Sequence, residues 1–123
     1  MLHANAKIML ADDSASFRDV LREMLKRMGF TNFIEVTNGI EALEAAQAHT
    51  NLNLVILDLR MPKMDGLIFL QELRKIEHHK KTPVLILTAD RNRDTLIEAV
   101  KYGPINYAFK PLQESEFTKK ISE

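Results

Sequence analysis

Residues 54 to 58 read Leu54-Val55-Ile56-Leu57-Asp58: four apolar residues in a row, then a carboxylate. A strand with one wet face would alternate, so an uninterrupted run predicts a strand buried on both sides, as in a parallel sheet covered by helices on each face. Ile8 to Ala11 and Val84 to Leu87 read the same way, and two more runs of strand length, Phe33 to Val36 and Ile105 to Phe109, make five. Helical spacing fills the gaps. Phe17, Val20, Leu21, Met24, Leu25 and Met28 recur every three or four residues before Gly29, a helix stop. Asn38-Gly39-Ile40-Glu41 supplies a cap with a Glu three positions on, and Leu43 and Ala46 continue that helix. Leu67, Leu70, Leu73 and Ile76 mark a third helix, and Leu96, Ile97 and Val100 a fourth that ends at Gly103-Pro104. Phe117 and Ile121 mark a short fifth, from about residue 113 to 122. Strictly alternating strands and helices predict the α/β class, a doubly wound five-stranded parallel sheet with right-handed crossovers.

Composition bounds the rest. A chain of 123 residues accommodates one domain of ordinary size, expected to span residues 1–123. With 46% hydrophobic and 28% charged residues it can bury a core, which excludes disordered and fibrous classes. Lys and Arg total 17, as do Asp and Glu, so no positive field favours direct nucleic-acid binding or an anionic membrane surface. The absence of Cys excludes disulfide scaffolds, thiolate metal sites and cysteine nucleophiles. No charged leader precedes a long apolar stretch and no run approaches the roughly 18 residues of a membrane span, so a cytoplasmic location without membrane insertion is expected.

In a doubly wound sheet ligands sit beyond the carboxyl ends of the strands, which makes the residues after each run the ones that carry chemistry. The first run ends in Asp12-Asp13, the third in Asp58, the fourth in Thr88 and the fifth in Lys110-Pro111. Acids converging on one rim repel one another and call for a cation. Magnesium suits: it prefers oxygen ligands and retains water, which leaves room for a phosphate. A carboxylate with a metal on one side and the Lys110 ammonium on the other is equipped to attack a phosphoryl group, with Thr88 as a hydrogen-bond donor to the transferred oxygens.

Leu-Ala-Asp12-Asp13-Ser, Leu57-Asp58-Leu-Arg60-Met-Pro62-Lys-Met-Asp65-Gly66, Leu87-Thr88-Ala89 and Phe109-Lys110-Pro111 occur together in one order and spacing. With this set the chain resembles, over its whole length, a response-regulator receiver domain, most of all the single-domain chemotaxis regulators. The resemblance implies a flavodoxin-like strand order 2-1-3-4-5. It also implies that Asp58 accepts a phosphoryl group from a histidine kinase or phosphotransfer protein. Asp13 and Asp58 would bind magnesium directly, Asp12 through water, and the backbone carbonyl of Arg60 would add a ligand. Thr88 and Lys110 would grip the phosphate, and Tyr107 would change rotamer with Thr88. Output to a protein partner would pass through the face of the fourth helix, fifth strand and fifth helix. Turnover is not implied beyond transfer to, and loss of phosphate from, the chain's own Asp58. Three outputs stay open: a diffusible regulator, a phosphorelay intermediate or phosphate sink, and the receiver part of a larger transcription factor or hybrid kinase.

Simpler readings stand beside these. Asp12-Asp13 alone would be a cap for the first helix, and only with Asp58, Thr88 and Lys110 does it become a site. Asp65-Gly66 reads as a turn and helix cap, Met61-Pro62 as loop shaping, and His78-His79-Lys80-Lys81 as a solvated connection. Arg60 either shields the acyl phosphate or points into solvent. Gly103-Pro104 replaces the family's usual Gly-Ala and removes a backbone donor before the fifth strand. A haloacid-dehalogenase-type phosphatase would place a second acid two residues after its nucleophile, where Arg60 stands, and a flavodoxin would place a hydroxyl- and glycine-rich loop where Asp12-Asp13 stands.

Overall fold

The computed structural model describes residues 2–122; the two ends of the expected domain, residues 1 and 123, lie outside the described residues. Strands β1 (Lys7–Ala11), β2 (Asn32–Val36), β3 (Leu54–Leu57), β4 (Val84–Thr88) and β5 (Ile105–Phe109) alternate with helices α1 (Ala15–Arg27), α2 (Gly39–Ala48), α3 (Gly66–Leu73), α4 (Arg93–Val100) and α5 (Glu114–Ser122). All pairings are parallel and the order is β2-β1-β3-β4-β5, the doubly wound arrangement expected. Among the described residues no helix is long and apolar enough to cross a membrane.

The unbroken apolar runs are explained by two cores, one on each face. Met9, Ala11, Val55, Leu57, Val84 and Ile86 point into the layer under α2, α3 and α4. Their strand neighbours Ile8, Leu10, Leu54, Ile56, Leu85 and Leu87 point into the layer with Leu21, Leu25, Phe117 and Ile121 of α1 and α5. Successive strand residues serve opposite cores, so neither face tolerates a polar residue. β2 lies at a sheet edge, and Glu35 on it is exposed, where it pairs with Arg18 and Arg22 of α1.

Caps set the helix starts. Ser14, Asn38, Asp65 and Asn92 each accept a hydrogen bond from the backbone N–H three residues on. Ser14 therefore takes the capping role that Asp12-Asp13 alone suggested. The third helix is shorter than its apolar spacing predicts: it stops at Leu73, and Ile76 instead precedes a 3₁₀ turn, Glu77–His79. Arg74 is the residue that caps its end. Its guanidinium donates to four backbone carbonyls, those of Tyr102 at 2.7 Å, His79 at 2.9 Å, Thr82 at 2.7 Å and Pro104 at 3.5 Å.

The histidine pair is not a solvated connection throughout. His79 is fully buried: its Nε2 lies 2.7 Å from the Ala46 carbonyl, which only accepts, and its Nδ1 lies 3.1 Å from the Thr82 hydroxyl. A neutral ring with these partners carries its proton on Nε2 and accepts from Thr82 at Nδ1. His78 beside it is exposed, because adjacent residues point in different directions.

Gly66 begins α3 directly behind the Asp58 loop. A Cβ there would lie 2.6 Å from Leu59 Cα and 2.8 Å from the Asp58 carbonyl oxygen, both backbone and unable to yield cheaply. Gly66→Ala should therefore lower unfolding stability by about 1–3 kcal/mol in urea titrations, whereas Gly103→Ala, whose nearest atoms sit at 3.4 Å, should change it far less.

Candidate functional site

Backbone pairing carries the chain one residue beyond each strand and so aims the strand-end side chains. The Asp58 N–H donates to the Ala11 carbonyl at 2.9 Å, the Asp12 N–H to Val36 at 3.2 Å, and the Lys110 N–H to Thr88 at 2.9 Å. β1 and β3 are central neighbours, so Asp12, Asp13 and Asp58 come together: each offers a carboxylate oxygen within 4.8 Å of the others. Asp12 and Asp58 are buried and Asp13 is exposed.

Lys110 reaches back across the sheet to the two buried acids. Its Nζ donates to Asp12 Oδ2 at 2.8 Å and to Asp58 Oδ2 at 3.1 Å. Burial alone would lower the lysine's pKa, but the Asp12 hydrogen bond and the Asp58 charge outweigh that and hold it above the ordinary lysine value. The ammonium is thus charged at any physiological pH. The remaining oxygens are fixed by backbone: Asp12 Oδ1 accepts from the Ser14 N–H at 2.8 Å and Asp58 Oδ1 from the Arg60 N–H at 3.0 Å.

Three carboxylates against one ammonium leave an excess of negative charge on hard oxygen donors, one of them open to solvent. Those donors fit a divalent cation of the magnesium or calcium type, and no softer ligand is present in the cluster.

Thr88 is fully buried, and its Oγ1 accepts from the Asp90 N–H at 3.1 Å. Asp90 went unnoticed in the sequence. Its carboxylate pairs with Arg60, Oδ2 lying 3.0 Å from Nε and 2.6 Å from Nη2, so Arg60 lies largely in solvent but anchored to Asp90. Donation from the Asn92 N–H, then the Arg60 guanidinium, hold the Asp90 carboxyl below its usual range against the opposing effect of burial. A depressed acid keeps the pair formed until pH falls through its lowered pKa. The available signal was a charge pair: Arg60 and Asp90 each stand two residues beyond a strand-end site residue.

Tyr107 is 42% exposed on edge strand β5, its ring edge-on to Phe109 with centroids 5.8 Å apart. The Arg91 guanidinium lies 4.3 Å over the Phe109 ring. The β4–α4 loop that holds Thr88 is thereby tied through Phe109 to Tyr107.

A sheet of this topology, with clustered acids, a buried hydroxyl and a bridging lysine at its rim, defines a receiver-type domain. The model of the response regulator receiver domain matches residues 8–122, and the chain belongs to that family. Its relatives include the chemotaxis protein CheY of Pseudomonas aeruginosa, 34% identical over 117 residues that cover 95% of this chain and 94% of that protein. Among solved structures, chemotaxis protein CheY4 of Vibrio cholerae superimposes with a TM-score of 0.87 at 29% identity, covering 97% of this chain and 98% of that one. The receiver domain of sensor histidine kinase PA1611 from Pseudomonas aeruginosa superimposes with a TM-score of 0.85 at 25% identity, covering 97% and 96%; it was solved with magnesium coordinated in its active-site cleft.

Binding to the folded state alone raises stability by mass action, so magnesium chloride should raise the melting temperature in a saturable way. Asp13→Asn removes one repelling charge and one ligand. It should raise the metal-free melting temperature by about 2–5 °C while reducing the magnesium-induced shift, both read by differential scanning fluorimetry.

Proposed function

We propose that this chain is a phosphorylation-controlled switch in which Asp58 takes a phosphoryl group from a phosphohistidine on a histidine kinase or phosphotransfer protein. The observation that carries the reading is the single ammonium shared by Asp12 Oδ2 and Asp58 Oδ2, which sets a cation directly against the buried Asp58 carboxyl at the rim. In the transfer an Asp58 carboxylate oxygen forms a bond to phosphorus, the phosphorus–nitrogen bond of the donor breaks, and the imidazole departs with the electron pair and takes up a proton. Asp13, Asp58, the Arg60 backbone carbonyl and, through water, Asp12 would hold magnesium, which neutralises charge on the transferred oxygens. Lys110 supplies fixed positive charge on the other side of those oxygens, and Thr88 turns its hydroxyl toward them. Hydrolysis of the acyl phosphate on the chain's own Asp58 resets the switch; no other turnover is proposed.

Transmission follows from Thr88. Its hydroxyl accepts from the Asp90 N–H and has its own hydrogen free to donate, so as Thr88 moves toward a phosphoryl oxygen the β4–α4 loop is drawn with it. Arg91 and Phe109 link that loop to Tyr107, giving Tyr107 two arrangements to choose between. Ile97 and Val100 on α4 and Tyr107 on β5 are large apolar side chains left exposed, suited to a protein partner that prefers one arrangement.

Incubation with acetyl phosphate and magnesium should add one labile phosphoryl group by intact mass, and Asp58→Asn or omission of magnesium should abolish it. A stable protein that takes no adduct would refute the reading. The Arg60–Asp90 pair ties the loop after Asp58 to the loop after Thr88, so Arg60→Ala should change the phosphoryl lifetime by up to about fivefold, the range of a surface ion pair.

A further inference from the structure

The Lys110 ammonium has three N–H groups, and two are committed to Asp12 and Asp58. On its remaining side lies the face of Phe17, whose ring centroid is 4.1 Å from Nζ, well inside the range of a cation–π contact. Phe17 is the third residue of α1, and the sequence placed it only as one of the helix's apolar positions. Its backbone N–H donates to Ser14 Oγ at 3.2 Å, and the Ser14 N–H donates to Asp12 Oδ1 at 2.8 Å. The contacts therefore close on themselves: Asp12 to Ser14, Ser14 to Phe17, the Phe17 ring to Lys110, and Lys110 back to the other oxygen of Asp12. The ring is held in place by the cap of the helix that the site itself begins.

The chemistry of the ring differs from that of the other two partners in one respect. Under the function proposed above, Asp58 gives up carboxylate charge when it becomes an acyl phosphate, and Asp12 turns toward the metal and its water. Both attractions on Lys110 weaken at the moment when the ammonium is needed at the transferred oxygens. The quadrupole of a benzene ring neither titrates, nor binds magnesium, nor changes on phosphorylation. It also covers one side of the ammonium against water, which strengthens the lysine's remaining interactions.

We propose that Phe17 is a positioning residue for phosphoryl transfer: its ring face holds the Lys110 ammonium at the site in both the unmodified and the phosphorylated state. This rests on the reading of Asp58 as acceptor, so the test has an arm that needs no phosphoryl group. Wild type, Phe17→Leu and Phe17→Tyr are pulse-labelled with an amine-acylating reagent in the absence of phosphodonor, and labelling of Lys110 is compared with that of exposed Lys75 in the same molecule by peptide mass spectrometry. Separately, the initial rate of adduct formation with acetyl phosphate and magnesium is measured by intact mass. Loss of the ring in Phe17→Leu should speed Lys110 labelling about three- to tenfold relative to Lys75 and slow phosphorylation by a similar factor. Phe17→Tyr, which keeps the ring, should stay within about twofold of wild type in both arms. Unchanged Lys110 labelling in Phe17→Leu, or a Phe17→Tyr protein as impaired as Phe17→Leu, overturns the proposal. If wild type takes no phosphoryl group, the acceptor reading fails on its own account, while the labelling arm still decides whether the ring holds Lys110. Should Phe17→Leu not fold, Phe17→Met replaces it with the same expectations.

Discussion

Two carboxylates, Asp12 and Asp58, are buried at the end of a sheet packed on both faces by apolar side chains, and they share one ammonium. An ionised acid taken out of water is tolerated only with a close partner and filled hydrogen bonds. Much of the architecture answers that requirement. The central placement of β1 and β3 brings the acids together, and the β5 edge sends Lys110 back across the sheet to them. Backbone N–H groups of Ser14 and Arg60 take the oxygens that Lys110 does not. The site is therefore held by charge in its unmodified form, and any event that alters that charge is felt by every group attached to it.

The neighbouring loops look arranged to feel it. Thr88 is packed in the core yet its hydroxyl oxygen is engaged by the next loop, and that loop is pinned at two points, by Arg60 on one side and by Arg91 over Phe109 on the other. Neither pin is a deep contact. Exposed ion pairs and cation–π contacts of this kind are weak, so neither fixes the loop by itself.

The fold was legible because both faces of the central strands are covered, so Leu54 to Leu57 and Val84 to Leu87 could carry no polar residue and announced themselves. The acids, Thr88 and Lys110 were legible because strand ends in such a sheet are where ligands go. What sequence spacing did not show is contact across the molecule. Ile76 keeps the helical period but lies beyond α3, whose C-cap Arg74 reaches the carbonyls of Tyr102 and Thr82 from other parts of the chain. His79 looks like one of a polar run and is instead sealed by Ala46, from a helix 33 positions away. Asp90 and Phe17 acquire meaning only once their partners, Arg60 and Lys110, are placed beside them.

Arg74 is a cation satisfied by carbonyl dipoles alone. Burial lowers its pKa, yet an arginine begins so far above neutrality that it stays charged, and none of its four partners can titrate. The contacts it makes among the turn after α3, the approach to β4 and the exit of α4 therefore contain no acid partner. Whatever becomes of the carboxylates at the opposite rim, this end of the sheet is held by a charge and dipoles that do not change with them.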